Sequence, residues 1–428
     1  MKILLVNTTA HTGGASIACQ RLMHALEGRG HEVRLLVRRD DSGAADTALT
    51  GGLVSRCVGR RVARWKFIWE RLCLLRHIPY SRVFSIDDGR CGSDITATDD
   101  YRWAEVVHLH WVNQAMVSLP QLDRLFARCK ADGKRVVWTL HDTWPATGIC
   151  HVPGDCEKWK TGCKECPLLR RPSLGIPCLH PDLAAKVAER KARAYAYNNI
   201  EFVACSQYMR NNVRQAALMQ GQQVSNIPNP LDIVFFCPGA SERERLRLPK
   251  EKKLILFVAY NVNDDNKNFT LVQRAVEKLS MKSSLIKQQL AVVPVGKNAK
   301  VWRDRFACEV IPFEYVSDSE TMRALYRSCD VLIVASRMEN LPNTIAEAGA
   351  CGLPAVATRV GGIPEMIVPG VNGELCESDD ADSMANALHR VLLASDARQL
   401  SLAARERAVA QYSEDTVAQR YEALYLHD

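Results

Sequence analysis

Short runs of β-branched and other apolar residues alternate with stretches of helical periodicity along most of the chain. This alternation favours parallel sheets covered by helices on both faces, because parallel strands can be joined only by a crossover connection. The predicted strands are residues 2–6, 32–37, 106–109, 135–140 and 201–204 in the first half, and 253–258, 290–295, 331–334 and 355–357 in the second half. The sequence therefore predicts an α/β fold with one sheet in each half.

The length of the chain indicates two domains. A chain of 428 residues is too long for one ordinary core, and it fits two domains of about 200 residues each. Proline, glycine and charged residues cluster near positions 232–250, where we place the boundary. We predict Rossmann-like, doubly wound domains over 1–235 and 250–400, an interdomain cleft, and a C-terminal helix over 400–428 that returns to the first domain.

The formal net charge of +8 is compatible with three kinds of partner: nucleic acid, an anionic membrane surface, or an anionic small substrate. No apolar run approaches the length of a signal-peptide core or a membrane span, so we expect a cytoplasmic protein. Its 16 cysteines are spread through a large chain without a secretory signal. Most of them are therefore expected to be reduced and buried.

A glycine pair follows the first predicted strand. Gly13 and Gly14 precede a helical pattern that stops near Gly28. Glycine at a strand-to-helix turn lets backbone amides approach a ligand closely, and the N-terminus of the following helix favours an anion. A tight turn without any ligand is the alternative, because such turns are common in α/β folds.

The segment 336–347, SRMENLPNTIAE, carries two glutamates directly after a predicted strand. Because Pro342 suits the first turn of a helix, Glu339 would lie in the preceding loop and Glu347 about one turn inside the helix. Amides of this turn would face a phosphate, and the Glu347 carboxylate can accept hydrogen bonds from a ribose diol. Solvated helix-end charges are the alternative. The candidate donor-binding positions in the turn are Asn340, Leu341, Pro342 and Asn343.

The stretch 336–365, together with Gly13 and Gly14, resembles the nucleotide-sugar site of glycosyltransferase family 4, and the similarity extends over nearly the whole chain. The resemblance implies the GT-B fold, transfer of a sugar with retention of anomeric configuration, and no cofactor for catalysis. It also implies that Glu339 lies by the donor sugar, that Glu347 binds the ribose, and that the intervening amides hold the sugar and the diphosphate.

Two further positions match the family. Lys267 resembles the lysine that neutralises the donor diphosphate, where a cation would stabilise the leaving group. His141, at the end of a predicted strand, resembles the histidine near the reacting sugar. One departure is Asn261, which stands where many family members have an arginine, so the diphosphate would be held by one cation fewer.

Four cysteines, Cys150, Cys156, Cys163 and Cys166, lie in a loop rich in glycine and proline over residues 148–180. Four thiolates at this spacing can hold a structural zinc ion, since the loop has little core of its own. Buried free thiols, or a redox-labile pair, are the alternative.

The residues around this cluster carry a narrower resemblance. The run 141–144, HDTW, and the segment 157–163, EKWKTGC, are similar to the fucosyltransferase-like enzymes of the family that build exopolysaccharides such as colanic acid. This resemblance implies a GDP-linked or UDP-linked hexose or deoxyhexose donor. It also implies a saccharide acceptor linked to a lipid pyrophosphate, in exopolysaccharide or lipopolysaccharide biosynthesis.

Residues 56–76 predict an amphipathic helix. Val62, Trp65, Trp69 and Leu72 recur at helical spacing among many arginines. Such a helix suits peripheral contact with an anionic membrane on its cytoplasmic face. The alternative is an ordinary helix whose apolar stripe packs on the first domain.

Three other functions remain open from the sequence alone. A nucleotide-sugar epimerase or hydrolase could use the same fold, because fold does not determine reaction. An inactive scaffold subunit of polysaccharide assembly could keep the fold without the chemistry. A zinc-containing nucleic-acid-binding protein would need a basic reading element that the sequence lacks, so we expect no nucleic-acid partner.

Overall fold

The computed structural model of the protein describes residues 1–39, 53–56, 60–78, 80–169, 182–281 and 288–426. The chain forms two compact units. The first contains Met1–Pro230 and Val417–Asp428, and the second contains Leu231–Thr416. Among the described residues, no helix is long and apolar enough to cross a membrane.

The first unit is built on a seven-stranded sheet in the order β3-β2-β1-β4-β5-β6-β7, with every neighbouring pair parallel. Its strands are β1 Lys2–Thr9, β2 Glu32–Arg39, β3 Leu53–Arg56, β4 Val106–Leu109, β5 Arg135–Leu140, β6 Ile200–Ala204 and β7 Gln223–Asn226. Its helices are α1 Gly14–Gly28, α2 Arg60–Leu74, α3 Asp99–Trp103, α4 Leu119–Ala131, α5 Leu183–Tyr195 and α6 Gln207–Val213.

The second unit has a six-stranded parallel sheet in the order β10-β9-β8-β11-β12-β13. Its strands are β8 Lys253–Asn261, β9 Leu290–Lys297, β10 Glu309–Val310, β11 Val331–Val334, β12 Ala355–Thr358 and β13 Gly373–Cys376. Its helices are α7 Phe269–Met281, α8 Ser319–Ser328, α9 Asn343–Ala350, α10 Ile363–Met366, α11 Ala381–Leu392 and α12 Ala397–Tyr412. The last helix of the chain is α13, Glu414–Leu426.

Both sheets are covered on two faces, as the continuous apolar strands require. In β1, Ile3 and Leu5 contribute to one core cluster, while Leu4 and Val6 contribute to the cluster on the opposite face. All four side chains are fully buried, since alternate residues of a strand point to opposite faces. The predicted α/β fold with two Rossmann-like halves is confirmed.

The segment between the two sheets is packed rather than extended as a linker. Phe236, Leu246 and Leu248 are buried in the core of the second unit. The Arg243 guanidinium donates to backbone carbonyls and forms an ion pair with Asp330, with a distance of 2.7 Å. The division therefore falls at Pro230–Leu231, earlier than the predicted boundary near 232–250.

The C-terminal region divides between the units. Helix α12 packs on α9 of the second unit, where Arg405 donates to the Ala350 carbonyl at 2.8 Å. Helix α13 packs on the first sheet through Val417, Tyr421 and Tyr425. The sequence-based segment 400–428 therefore contains two helices with different partners, joined at Ser413.

Four strands went unpredicted, namely β3, β7, β10 and β13. All four lie at sheet edges and have at most four residues. Edge strands need only one apolar face and can be polar, as in Gln223–Asn226. Such short segments carry too little periodicity to separate a strand from a loop.

Two histidines are buried in the first unit, His108 in β4 and His110 directly after that strand, and His108 lies against α13. The His108 ring bonds to the Tyr425 hydroxyl at 2.7 Å and to Thr139 Oγ1 at 2.8 Å. Its pKa is lowered to about 3 because burial penalises the charged ring. Burial also holds the pKa of His110 well below its usual value, so both rings are neutral in the folded protein.

We expect these rings to make the first unit acid-sensitive. In the unfolded chain a histidine takes up a proton below a pH of about 6.5, whereas folded His108 does not, so the free energy of unfolding falls as pH decreases below that value. The slope approaches about 1.4 kcal/mol per pH unit for each buried histidine. Melting temperatures measured from pH 7 to pH 5 should fall less steeply in His108→Gln than in the wild type. Equal slopes would contradict this account, and exposed His24→Gln serves as the control.

Candidate active site

In the second unit, Lys267 and Glu339 meet near the carboxyl edge of the sheet. Lys267 lies between β8 and α7, and Glu339 lies in the loop between β11 and α9. The Lys267 Nζ atom is 2.6 Å from Glu339 Oε2, and both side chains are partly buried. Ser336 Oγ donates to the same carboxylate at 3.2 Å. Two residues that the sequence singled out separately thus form one ion pair.

Asn266 holds the two loops together. Its side-chain amide donates to the Met338 carbonyl, and its Oδ1 accepts from the Met338 amide, each at 2.9 Å. Its carbonyl accepts from the Arg337 amide at 2.8 Å. This pairing fixes the loop of Lys267 against the loop of Glu339.

Gly361 allows a third loop to approach Glu339. Its φ is 57°, in the left-handed region, and a Cβ atom there would lie 1.6 Å from the Glu339 carbonyl oxygen. The adjacent Gly362 amide donates to the Asn340 carbonyl at 3.0 Å. Only glycine fits this position, because a side chain would collide with backbone atoms.

Helix α9 begins immediately after Pro342, which is the N-cap residue, so Glu347 lies about one turn inside. Glu347 Oε2 accepts a hydrogen bond from the Tyr326 hydroxyl at 2.8 Å, which orients the carboxylate. Asn343 is the first residue of the helix, and the partly buried Leu341 packs against the core. The turn therefore combines a helix N-terminus, which attracts anions, with one cation and two carboxylates.

Asn261 lies at the end of β8, where the family often has an arginine. Its Oδ1 accepts from the Asn263 amide at 3.0 Å and from the Asn298 side chain at 2.9 Å, so it organises the loop. Its partner in the parallel ladder is Lys297. The lysine therefore lies beside Asn261 on the neighbouring strand. Its Nζ atom donates to the Tyr260 hydroxyl at 2.6 Å.

In the first unit, the glycine pair forms the turn between β1 and α1. Gly13 is the N-cap residue of α1, and its φ of 98° lies in a region that favours glycine over other residues. Ser16 Oγ bonds to Asn7 at 2.9 Å and to the Thr12 carbonyl at 3.0 Å, and these bonds close the turn. The N-terminus of a 15-residue helix is thus directed at the carboxyl edge of the sheet.

The same turn borders a cavity of about 1210 Å³. The lining includes Gly13, Gly14, His141, and two arginines, Arg38 and Arg64. Apolar surface from α2 contributes to the wall. A cavity with cations at one side and aromatic surface at another suits a ligand that combines anionic and apolar or sugar groups.

His141 borders this cavity and is held by its neighbours. Its Nε2 is 2.9 Å from Nδ1 of His110, and its Nδ1 faces Cys205 Sγ at 3.9 Å. Burial lowers the pKa of His141 to about 4, so the ring is neutral near pH 7. The adjacent Asp142 accepts from Trp111 Nε1 and pairs with His151 Nδ1, both at 2.7 Å.

The sequence did not predict three residues that hold the candidate site in place, namely His110, Asn266 and Tyr326. His110 bonds to His141, Asn266 joins the loops of Lys267 and Glu339, and Tyr326 orients Glu347. A signal existed for His110, because it follows β4 as His141 follows β5, and these strands are neighbours. No local pattern marks Asn266 or Tyr326, since each acts through a contact that is distant in sequence.

Helix α2 places its apolar stripe outward. Trp65 is 71% exposed and Trp69 is 59% exposed, with Val62 and Leu72 also about half exposed. The opposite face buries Arg71, whose guanidinium forms ion pairs of 2.8 Å with Glu70 and with Asp87. The alternative in which the stripe packs on the first domain is therefore wrong. Residues 57–59 of the predicted 56–76 stretch lie outside the described residues.

Two family models match the chain. Glycosyltransferase Family 4 matches residues 12–235, and Glycosyl transferases group 1 matches residues 252–394. The protein belongs to glycosyltransferase family 4. Both halves of this family 4 chain thus match glycosyltransferase models, as the sequence motifs predicted.

Curated relatives support the same family. The chain is 27% identical over 257 residues to the putative colanic acid biosynthesis glycosyl transferase WcaC of Escherichia coli K12, covering 59% of this chain and 60% of WcaC. It is 29% identical over 182 residues to the D-inositol 3-phosphate glycosyltransferase of Thermobifida fusca, covering 40% of this chain and 42% of that protein. The chain thus matches between about two fifths and three fifths of the length of these relatives.

A solved structure supports the fold. The crystal structure of Anabaena Alr3699/HepE in complex with UDP and glucose matches 99% of this chain and 99% of its own, with a TM-score of 0.64 and 16% identity. At that identity the likeness concerns the fold, and it agrees with the predicted GT-B class.

We expect Gly361→Ala to displace the Glu339 loop. The added methyl group would have to move backbone atoms, so the free energy of unfolding should fall by more than about 2 kcal/mol. Gly370→Ala is the matched control, because Gly370 has a φ of 75° but no atom within 4 Å of the added Cβ. The melting temperature should fall further in Gly361→Ala than in the control. Equal melting temperatures would contradict the close approach.

Proposed function

We propose that the protein transfers a hexose or deoxyhexose from a GDP-linked or UDP-linked donor to a saccharide acceptor, with retention of anomeric configuration. The acceptor is linked to a lipid pyrophosphate, and the product enters exopolysaccharide or lipopolysaccharide biosynthesis. The observation that carries the proposal is the Lys267–Glu339 ion pair beside the loop that leads into α9, the helix that contains Glu347.

The donor binds to the second unit in this proposal. The amides of the first turn of α9 and the Lys267 ammonium offset the charge of the diphosphate. The Glu347 carboxylate, oriented by Tyr326, accepts hydrogen bonds from the ribose hydroxyls. Glu339 accepts hydrogen bonds from the donor sugar, and Lys297 adds positive charge beside Asn261.

In this proposal the first unit binds the acceptor and supplies His141. Neutral His141 lines the cavity and brings no charge to it. Gly13 and Gly14 contact the donor, as in the family resemblance, while Arg38 and Arg64 line the remaining cavity and suit an anionic acceptor. The positive charge of these arginines matches a sugar acceptor that carries phosphate groups.

The reaction step follows from these roles. The bond between the anomeric carbon and the leaving phosphate oxygen breaks on the face at which the acceptor oxygen bonds. The acceptor hydroxyl proton passes to an oxygen of the departing nucleoside diphosphate. Lys267 and the α9 amides stabilise the negative charge that develops on this leaving group, which lowers the barrier.

A thermal-shift screen against GDP, UDP, dTDP and ADP and their sugar conjugates tests the donor site, because a ligand that binds only the folded state raises the melting temperature. One nucleotide should produce a selective shift. Glu347→Gln should weaken the binding of that nucleotide by roughly 10-fold to 100-fold, since the variant loses charge-assisted hydrogen bonds to the ribose. Exposed Glu406→Gln is the control and should bind normally. Unchanged affinity in Glu347→Gln would overturn the ribose assignment.

The lipid-linked acceptor would be reached at a membrane surface. Trp65 and Trp69 project from α2 beside exposed arginines, and Tyr80 and Phe84 add exposed aromatic surface just after it. Tryptophan suits the membrane interface, and arginine attracts anionic headgroups. The arginines of this surface are Arg61, Arg64, Arg76 and Arg82.

We expect the protein to float with vesicles that contain anionic lipid and not with neutral vesicles. Trp65→Ser combined with Trp69→Ser should reduce vesicle binding at least about 10-fold, because it removes the apolar contribution. Leu393→Ser with Leu402→Ser is the control, since both leucines are about half exposed in the second unit. Equal flotation of both double variants would exclude α2 as the membrane contact, without affecting the donor assignment.

A further inference from the structure

The four cysteines of the loop after β5 gather around one small cavity. Cys150, Cys156, Cys163 and Cys166 all line a space of about 10 Å³. A volume of this size admits roughly one atom-sized occupant. Four residues spread over 17 positions of an irregular loop thus border the same small cavity.

A backbone amide is directed at one of the sulfur atoms. The Gly148 amide donates to Cys163 Sγ at 3.1 Å. An amide that donates to sulfur can also stabilise a metal-bound thiolate, which accepts hydrogen bonds.

The backbone of the second cysteine pair is shaped for this convergence. Cys163 has a φ of 57° and Glu165 a φ of 51°, so the chain turns tightly between Cys163 and Cys166. Both residues adopt the left-handed conformation without being glycine, which costs free energy. A bound ion would offset that cost.

A buried lysine lies beside the cluster. Lys191 is fully buried, and its Nζ atom donates to the carbonyls of Trp144, Thr147 and Gly148 at 2.5, 3.0 and 2.9 Å. Burial lowers the pKa of Lys191 to about 7. A zinc ion with four thiolates carries a net charge of −2, and a protonated Lys191 would stabilise that charge.

We propose that Cys150, Cys156, Cys163 and Cys166 bind one structural Zn²⁺ ion as four thiolates. The ion orders the loop that supports the acceptor side of the first unit. This inference goes beyond the transfer reaction and does not depend on it, because zinc takes no part in the chemical step.

Binding requires the loop to contract. No three of the four sulfur atoms, all of them in the described part of the chain, lie within 4.8 Å of one another. Zinc–sulfur bonds of about 2.3 Å place tetrahedral sulfur atoms roughly 3.8 Å apart. The sulfur atoms must therefore move closer together, and the free energy of metal binding drives this ordering.

A second group of possible ligands does not compete. Glu70, Asp87 and Asp88 come within 4.8 Å of one another. Arg71 already pairs with Glu70 and Asp87, and Arg90 pairs with Asp88 at 2.5 Å. These carboxylates are therefore compensated by arginines, and no ion is needed.

The loop connects directly to His141. His151 follows Cys150, and its ring holds Asp142, the neighbour of His141. The Thr143 amide donates to the His151 carbonyl at 3.0 Å. Loss of the ion should therefore disturb the acceptor side, while nucleotide binding to the second unit persists.

Metal analysis of the full chain, purified without chelator, tests the proposal. We expect about one zinc per chain. Cys163→Ser and Cys166→Ser should each reduce the zinc content at least about 5-fold, because three thiolates bind zinc more weakly than four. Cys237→Ser and Cys308→Ser, which change partly buried cysteines of the second unit, should retain it. Wild-type protein without zinc, or with a disulfide between Cys150 and Cys166 found by mass spectrometry, would overturn the proposal.

A second measurement uses the wild-type protein, so it does not depend on whether the cysteine variants fold. Removing zinc from the wild-type protein with a chelator should lower its melting temperature by roughly 5 °C, and added Zn²⁺, but not Mg²⁺, should restore it. Replacement by Co²⁺ should give the visible absorption of a tetrahedral thiolate site. No response of the melting temperature to either step would refute a structural ion. UDP or GDP binding, measured in parallel, separates this failure from failure of the donor site.

Discussion

Both units depend on a parallel sheet that is buried on its two faces. Because all strands run in the same direction, the loops that follow them collect at one edge, where the backbone is no longer committed to the ladder. His110 and His141 follow neighbouring strands of the first sheet, and Glu339 follows β11 of the second. The chemistry of each unit is thus assembled from residues far apart in sequence by a single constraint on strand direction.

Close approach of backbone segments sets the geometry of the candidate site in the second unit. Gly361 lets one loop touch the carbonyl of Glu339, and Asn266 joins a second loop to Met338. These contacts leave the Glu339 carboxylate beside Lys267 at 2.6 Å. The site therefore has a defined geometry that does not depend on long flexible side chains alone.

Buried charge explains how α2 can turn its apolar residues outward. A buried arginine is tolerated only when its charge is compensated, and Arg71 has Glu70 and Asp87 together with the carbonyls of Val83 and Ile86. This network fixes the helix by its polar face. The same principle applies to Lys191, which uses three carbonyls and a contact with the Trp144 ring.

The sequence by itself determined the two α/β halves and the central strands, because apolar runs are local patterns. It also predicted Glu339 and Glu347 from a two-glutamate turn, and Lys267 and His141 from the family resemblance, and these site assignments stay predictions. Only the tertiary structure decided which face of α2 is exposed, where the units divide, and which partners hold the site residues. Periodicity shows that a helix has two faces, but not which face is buried. That choice depends on contacts such as Arg71 with Asp87, which form between distant parts of the chain and leave no local trace.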